Sequence, residues 1–187
     1  MGLPTMTTKK KNHSALGLKK GTVRLVPFNP EWQKLFELEK QIILSRLGNK
    51  VVAIEHIGST TIPDMPPKPV VHILVAIDSL AKIKEFFLLL EKVGYVHREL
   101  PFKAERIFFV KGPEENRRFH LSLVEHQSAE WTNSILFCEY LRNHKDVAKE
   151  YADLKMSLAE KYPNDRDSYT AAKQDFFKAI IQKAQKK

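Results

Sequence analysis

Two hydrophobic periods share the first two thirds of the chain, and one dominates the last third. Residues 51–57 are β-branched and apolar. Residues 70–77 read Val-Val-His-Ile-Leu-Val-Ala-Ile, apolar except for one imidazole. Both predict buried strands. Residues 106–110 add a third strand. Residues 118–125 alternate, with Phe119, Leu121 and Leu123 on one face and Arg118, His120, Ser122 and Val124 on the other; that pattern predicts a half-buried strand. Residues 22–27 alternate more briefly and end in proline, as a short edge strand does. Helical spacing appears at Leu35, Leu38, Ile42 and Leu47, between Asn29-Pro30-Glu31 and Gly48. It recurs at Leu80, Ile83, Phe87 and Leu90, between Asp78-Ser79 and Gly94. These flanks are helix start and stop signals. From residue 128 the pattern is helical throughout: Trp131, Ile135, Cys138 and Leu141; then Val147, Tyr151, Leu154 and Leu158; then, past Pro163-Asn164-Asp165, Ala172, Phe176 and Ile180. The order predicts an α/β (α+β) fold: a small mixed β-sheet covered by helices, with a sheet core over about 22–127 and a helical C-terminal appendage over about 128–187. Residues 1–21, polar and basic, read as a flexible tail.

The most informative stretch joins the two apolar strands: Glu55-His56-Ile57-Gly58-Ser59-Thr60-Thr61, a loop holding Pro63, Pro66, Pro67 and Pro69, then Lys68 and the strand that carries His72. Gly58 permits a sharp turn where a side chain would clash. Ser59, Thr60 and Thr61 follow with hydroxyls and backbone N–H groups, a set that either holds an anion or closes a plain tight turn. The prolines keep the return path out of helix. His72 stands 13 residues after Ser59, on the second strand.

Charge changes this picture little. The net charge is +9 over 187 residues. Five lysines among residues 1–20 (Lys9, Lys10, Lys11, Lys19, Lys20) and four among residues 178–187, with no acid in either end, account for all of it. The ends read as solvated tails or as a weak attraction for nucleic acid. Cys138 is the only cysteine, so no internal disulfide forms, which fits a reducing cytoplasm. No apolar run approaches the roughly 18 residues of a membrane span. Met6 also stands as an alternative start, with residues 1–5 not native.

The ordered series Glu55-His56-Ile57-Gly58-Ser59-Thr60, Lys68-Pro69, Arg118-Phe119-His120-Leu121, Trp131, Phe137, Tyr140-Leu141-Arg142, Tyr151, Leu154-Lys155, Asp165 to Thr170 and Lys173 resembles GrpB-like proteins, from about Val23 to the C-terminus. That family is placed in the nucleotidyltransferase superfamily, and some of its members are fused to an enzyme of coenzyme A synthesis. The resemblance implies a nucleotidyltransferase-like core with the Gly-Ser turn beside nucleotide phosphates. It also implies acidic residues on the next strand that hold a divalent metal, Mg²⁺ or another, together with nucleotide. This chain departs from that set. His72 stands where the family usually has Asp, Leu74 at the second position, and Ser122 where a second His often follows His120. Magnesium wants anionic oxygen ligands, so imidazole in place of carboxylate weakens its hold.

The residues and the resemblance together give the expectations. Gly58, Ser59, Thr60, Lys68 and Lys173 bind phosphate or nucleotide; His72 and His120 face the ligand as the catalytic candidates. His56, His72, His120 and Asp64 are the metal-ligand candidates, and Glu55 is a candidate helper. Arg106, Arg117 and Arg118 are further cations that either line the site or are solvated. Asp64 reads equally as a loop acid, Trp131, Phe137 and Tyr151 as core packing, and Cys138 as a buried thiol. The expected function is binding of a nucleotide or phosphorylated small molecule. An active nucleotidyl or phosphoryl transferase with substituted ligands, and a non-catalytic interaction module using the lysine-rich ends, stand as alternatives.

Overall fold

The computed structural model describes residues 16–100 and 105–186. Lys9, Lys10 and Lys11 lie outside these. A five-stranded mixed sheet forms the centre, in the order β1-β2-β5-β4-β3. The strands are β1 (Ala53–Ile57), β2 (Val71–Ile77), β3 (Tyr95–Arg98), β4 (Arg106–Lys111) and β5 (Phe119–Glu125). β2 and β5 run parallel; the other three pairings are antiparallel. Helices α1 (Glu31–Leu47) and α2 (Ile83–Glu91) cover one face. Their Trp32, Phe36, Ile43, Leu47, Phe86 and Leu90 pack on Val71, Ile73, Val75, Leu121 and Leu123. Helix α3 (Ala129–Asn143) covers the other face, where Trp131 packs on Leu74, Ala76 and Val124. The rest of the C-terminal third is α4 (Lys145–Lys161), α5 (Arg166–Ala171) and α6 (Gln174–Gln185). Among the described residues no helix is long and apolar enough to cross a membrane.

Several expectations change. Residues 22–27 form no strand. Their donors go to loops instead: the Val23 N–H donates to the Pro163 carbonyl at 2.8 Å, and the Val26 N–H to the Pro67 carbonyl at 3.0 Å. Of the stretch read as a tail, residues 17–20 are tied to the body. Leu18 exchanges backbone hydrogen bonds with Arg117 at 3.0 and 2.9 Å, and the Gly17 N–H reaches the Pro69 carbonyl. In α1 the inward stripe is Trp32, Phe36, Glu39, Ile43 and Leu47, while Leu38 and Ile42 are exposed. The larger aromatic rings win the core, and the helix turns to suit them. β5 is buried on both faces, because α3 closes the side that its polar residues occupy. β3 lacks a clear alternation in sequence and was not expected; it is a four-residue edge strand held by β4. The last predicted helix is two, broken at Ala172–Lys173, and Ala172 is exposed.

The C-terminal helices are more than an appendage. Ile62 and Met65, from the proline loop after β1, are buried with Phe137, Leu141, Val147, Tyr151, Ile180 and Ile181 in a second core. This core fixes α3, α4 and α6 against the β1–β2 connection, and a cleft opens where the two meet.

Candidate functional site

The cleft has a volume of about 150 Å³. The turn Gly58-Ser59-Thr60, Lys68 and His72 line one side. Tyr151 and Lys155 from α4, Tyr169 from α5, and Lys173 line the other. Ser59 and His72 therefore share one cavity.

The turn is built from the backbone outward. Gly58 has φ 81°, a conformation that L side chains rarely adopt. Ser59–Thr61 form a single 3₁₀ turn, with the Thr61 N–H donating to the Gly58 carbonyl at 3.0 Å. The Gly58 N–H donates to Cys138 Sγ at 3.1 Å. Cys138 is 2% exposed, and burial raises its thiol pKa. The thiol thus props the turn from beneath. The Ser59 hydroxyl has no hydrogen-bond partner among the described residues and sits at the cleft.

His56 belongs to the turn's support. Its ring stacks on Phe36 with centroids 4.7 Å apart. Its Nδ1 lies 2.9 Å from Gln33 Oε1 and its Nε2 2.9 Å from Thr60 Oγ1. The Gln33 oxygen only accepts, so Nδ1 carries the proton and the Thr60 hydroxyl donates to Nε2. Burial, then the charge of Arg142, lowers the His56 pKa to about 4, which keeps this neutral form. The Thr60 hydroxyl is therefore committed to His56, and Thr60 offers the cleft its backbone alone. Thr60→Val should cost about 1–3 kcal/mol by orphaning His56 Nε2; urea unfolding measures it, and an unchanged midpoint would contradict the tautomer assigned.

His72 and His120 do meet. They are register partners on β2 and β5, and their rings stand edge to face with centroids 5.0 Å apart. His120 is 3% exposed. Arg166 Nη2 donates to its Nδ1 at 3.5 Å, which leaves the proton on Nε2, and Nε2 has no partner among the described residues. Burial lowers the pKa of both imidazoles well below the usual range. The neighbouring charges add to this: Lys68, Arg166, Lys173 and Arg106 at His72; His72, Arg166, Lys68 and Arg117 at His120.

Four cations converge on the same place. Lys68 Nζ and Lys173 Nζ stand 5.3 and 4.2 Å from the centre of the Tyr169 ring. Tyr169 is fully buried, and its hydroxyl has no partner among the described residues. Lys155 is 2% exposed, and its Nζ donates to the Pro66 carbonyl at 2.6 Å. Arg166 completes the group and lines, with Lys68 and His120, a small hollow beside the main cleft. Burial and mutual repulsion lower the pKa of Lys68 and Lys155 well below the ordinary lysine range, and that of Lys173 to about 8. None of the four forms an ion pair with a carboxylate among the described residues.

The other candidates lie elsewhere. His56 faces α1, across the sheet from His72 and His120, so the three histidines do not converge. Among the described residues no group of three His, Cys, Asp or Glu side chains is placed to hold a metal ion. Asp64, with φ 61°, is exposed; its neighbours Ile62 and Met65 turn inward to the second core and leave it outside. Glu55 is exposed on β1 and does not line the cleft. Arg106 pairs with Glu130. Arg117 does line the small hollow, but its guanidinium is spent on the Gly112 carbonyl and Glu114. Arg118 is exposed and away from the cleft. Lys155, Arg166 and Tyr169 were not among the expected site residues. Their signal was weak: Tyr151 and Lys155, and Arg166, Tyr169 and Lys173, recur at helical spacing in segments that otherwise read as solvated.

The model of the GrpB protein family matches residues 22–183. The glutamate-rich protein GrpB of Alkalihalophilus pseudofirmus is 37% identical over 170 residues, covering 89% of this chain and 98% of that protein. A dephospho-CoA kinase of Mycolicibacterium paratuberculosis is 27% identical, covering 92% of this chain and 48% of that protein. Among solved structures, the crystal structure of the conserved protein GrpB from Enterococcus faecalis superposes with a TM-score of 0.78 at 29% identity, covering 87% of this chain and 98% of that one.

Proposed function

Since the chain belongs to the GrpB family, whose model spans residues 22–183, we propose that it is a nucleotidyltransferase-like protein that binds a nucleotide or other phosphorylated small molecule in the cleft at Gly58-Ser59-Thr60. One observation carries this reading: Lys68, Lys155 and Lys173 line the cleft with the turn and Arg166 the hollow beside it, and none of the four is in an ion pair with a carboxylate among the described residues, Asp167 acting on Arg166 only from a distance. Lys155 is buried and Lys68, Lys173 and Arg166 are half-buried; cations drawn this far out of water are ordinarily paired, because an unpaired charge there is expensive. An anionic occupant supplies the missing partner. The Ser59 hydroxyl and the turn's backbone N–H groups then orient a phosphate, and Lys68 and Lys173 neutralise it.

Binding is favoured over group transfer by the state of the imidazoles. A general base works best with a pKa near the working pH. His72 and His120 are held well below that by burial and by the surrounding cations. In this reading they shape the cleft and donate or accept single hydrogen bonds.

Thermal unfolding with pyrophosphate, ATP and coenzyme A tests the reading. A ligand at about 100 times its Kd adds about 2.7 kcal/mol. For a chain of this size the expected rise in Tm is about 5–10 °C. No rise with any of the three would overturn the phosphate assignment.

A further inference from the structure

Resting on the phosphate reading above, we propose that the cleft takes its ligand as an uncomplexed di- or triphosphate, free of divalent metal, so that Mg²⁺ opposes binding. The fold family leads one to expect magnesium, and the residues do not fit it. A hard divalent cation is held by several anionic or carbonyl oxygens. The cleft lining holds no carboxylate. Its one imidazole, His72, with His120 behind it in the adjoining hollow, suits a transition metal better than magnesium. Where the family's carboxylate would stand is His72, and ammonium and guanidinium groups crowd round it.

The number of these groups speaks for more than one phosphate. A single phosphate carries a charge of about −1.5 to −2 near neutral pH. With a bound anion favouring their charged forms, Lys68, Lys155, Lys173 and Arg166 together offer more than that. They also stand close enough for Lys173, Arg166 and Lys155 each to lower the pKa of Lys68. A second phosphoryl group removes this repulsion where one leaves part of it. Magnesium chelated by the same phosphates neutralises part of the ligand's charge and brings a cation into the group. The attraction therefore falls, and it falls most in a cleft where water screens poorly.

Calorimetric titration of the full-length protein with pyrophosphate, in EDTA and in excess MgCl₂ at matched ionic strength, decides the matter. Binding in EDTA should be at least about tenfold tighter than in magnesium. It should also be tighter than binding of inorganic phosphate under the same conditions. Equal or tighter binding in magnesium overturns this inference and leaves the phosphate reading standing. Pyrophosphate that fails to bind under either condition overturns this inference, and the phosphate reading then rests on ATP and coenzyme A in the thermal test above.

Discussion

Lys111→Met should destabilise the protein by about 3–5 kcal/mol, the usual cost of stranding one member of a buried ion pair. The Glu39 carboxylate on α1 is 4% exposed and accepts a hydrogen bond from Lys111 Nζ at 2.7 Å. The lysine reaches it from β4, with Nζ 5.5 and 5.9 Å from the ring centres of Tyr95 and Phe119. Methionine keeps most of that apolar stem. What it removes is the charge, and Glu39 is then left without its cation beneath the helix. Converting Glu39 to methionine as well should return stability to within about 1 kcal/mol of the parent, since well-packed apolar pairs often match buried ion pairs. Urea unfolding of the single and double variants measures both. A single-variant cost below about 1 kcal/mol would mean that the pair is wetter than its burial indicates.

The same glutamate explains where the sequence misleads. Helix α1 buries Trp32, Phe36, Glu39, Ile43 and Leu47. A charged residue in the middle of that stripe breaks its apolar pattern, so Leu35, Leu38 and Ile42 look like the better face. Only the partner on β4, far along the chain, makes Glu39 an inward residue. β5 misleads for a related reason: His120 and Ser122 look solvent-facing but are covered by helices that arrive later in the chain. By contrast, β1, the Gly58 turn and β2 were legible, because their signals are local: β-branched runs, a glycine at positive φ, and prolines on the return. The candidate site divides in the same way. Gly58, Ser59, Lys68 and His72 lie on one connected stretch, and Lys173 was marked by family resemblance. Lys155 and Arg166 gain their roles only when α4 and α5 pack against that stretch. A lysine on a helix rich in charge carries no local sign of burial.

Lys173→Met should stabilise the ligand-free protein by roughly 1–3 kcal/mol at pH 7, the half-buried ammonium being partly screened, while weakening pyrophosphate binding at least about tenfold. Burial, then the charge of Arg166, brings the Lys173 pKa down from 10.5 to about 8. The unfolded chain therefore holds this proton more tightly than the folded one. Stability rises with pH wherever the unfolded state binds more protons, so the native protein gains stability from about pH 8 to 10.5. Below that window the full penalty for the buried ammonium is present, and above it the penalty is gone. Methionine fills similar space without the charge. Its advantage should be largest at pH 7 and vanish above about pH 10.5, where the native side chain becomes neutral in both states. The cation–π contact with Tyr169 offsets about 0.5–1 kcal/mol of the gain. Anion binding reverses the sign: a phosphate beside Lys173 favours the ammonium, so native affinity should fall as pH rises through about 8. Chemical denaturation at pH 7 and pH 10, with calorimetry on the same samples, separates the two effects. A variant that is less stable at pH 7 and still binds pyrophosphate normally would show Lys173 to be a packing residue. Gained stability with lost binding would show that the fold carries this strained charge for its ligand.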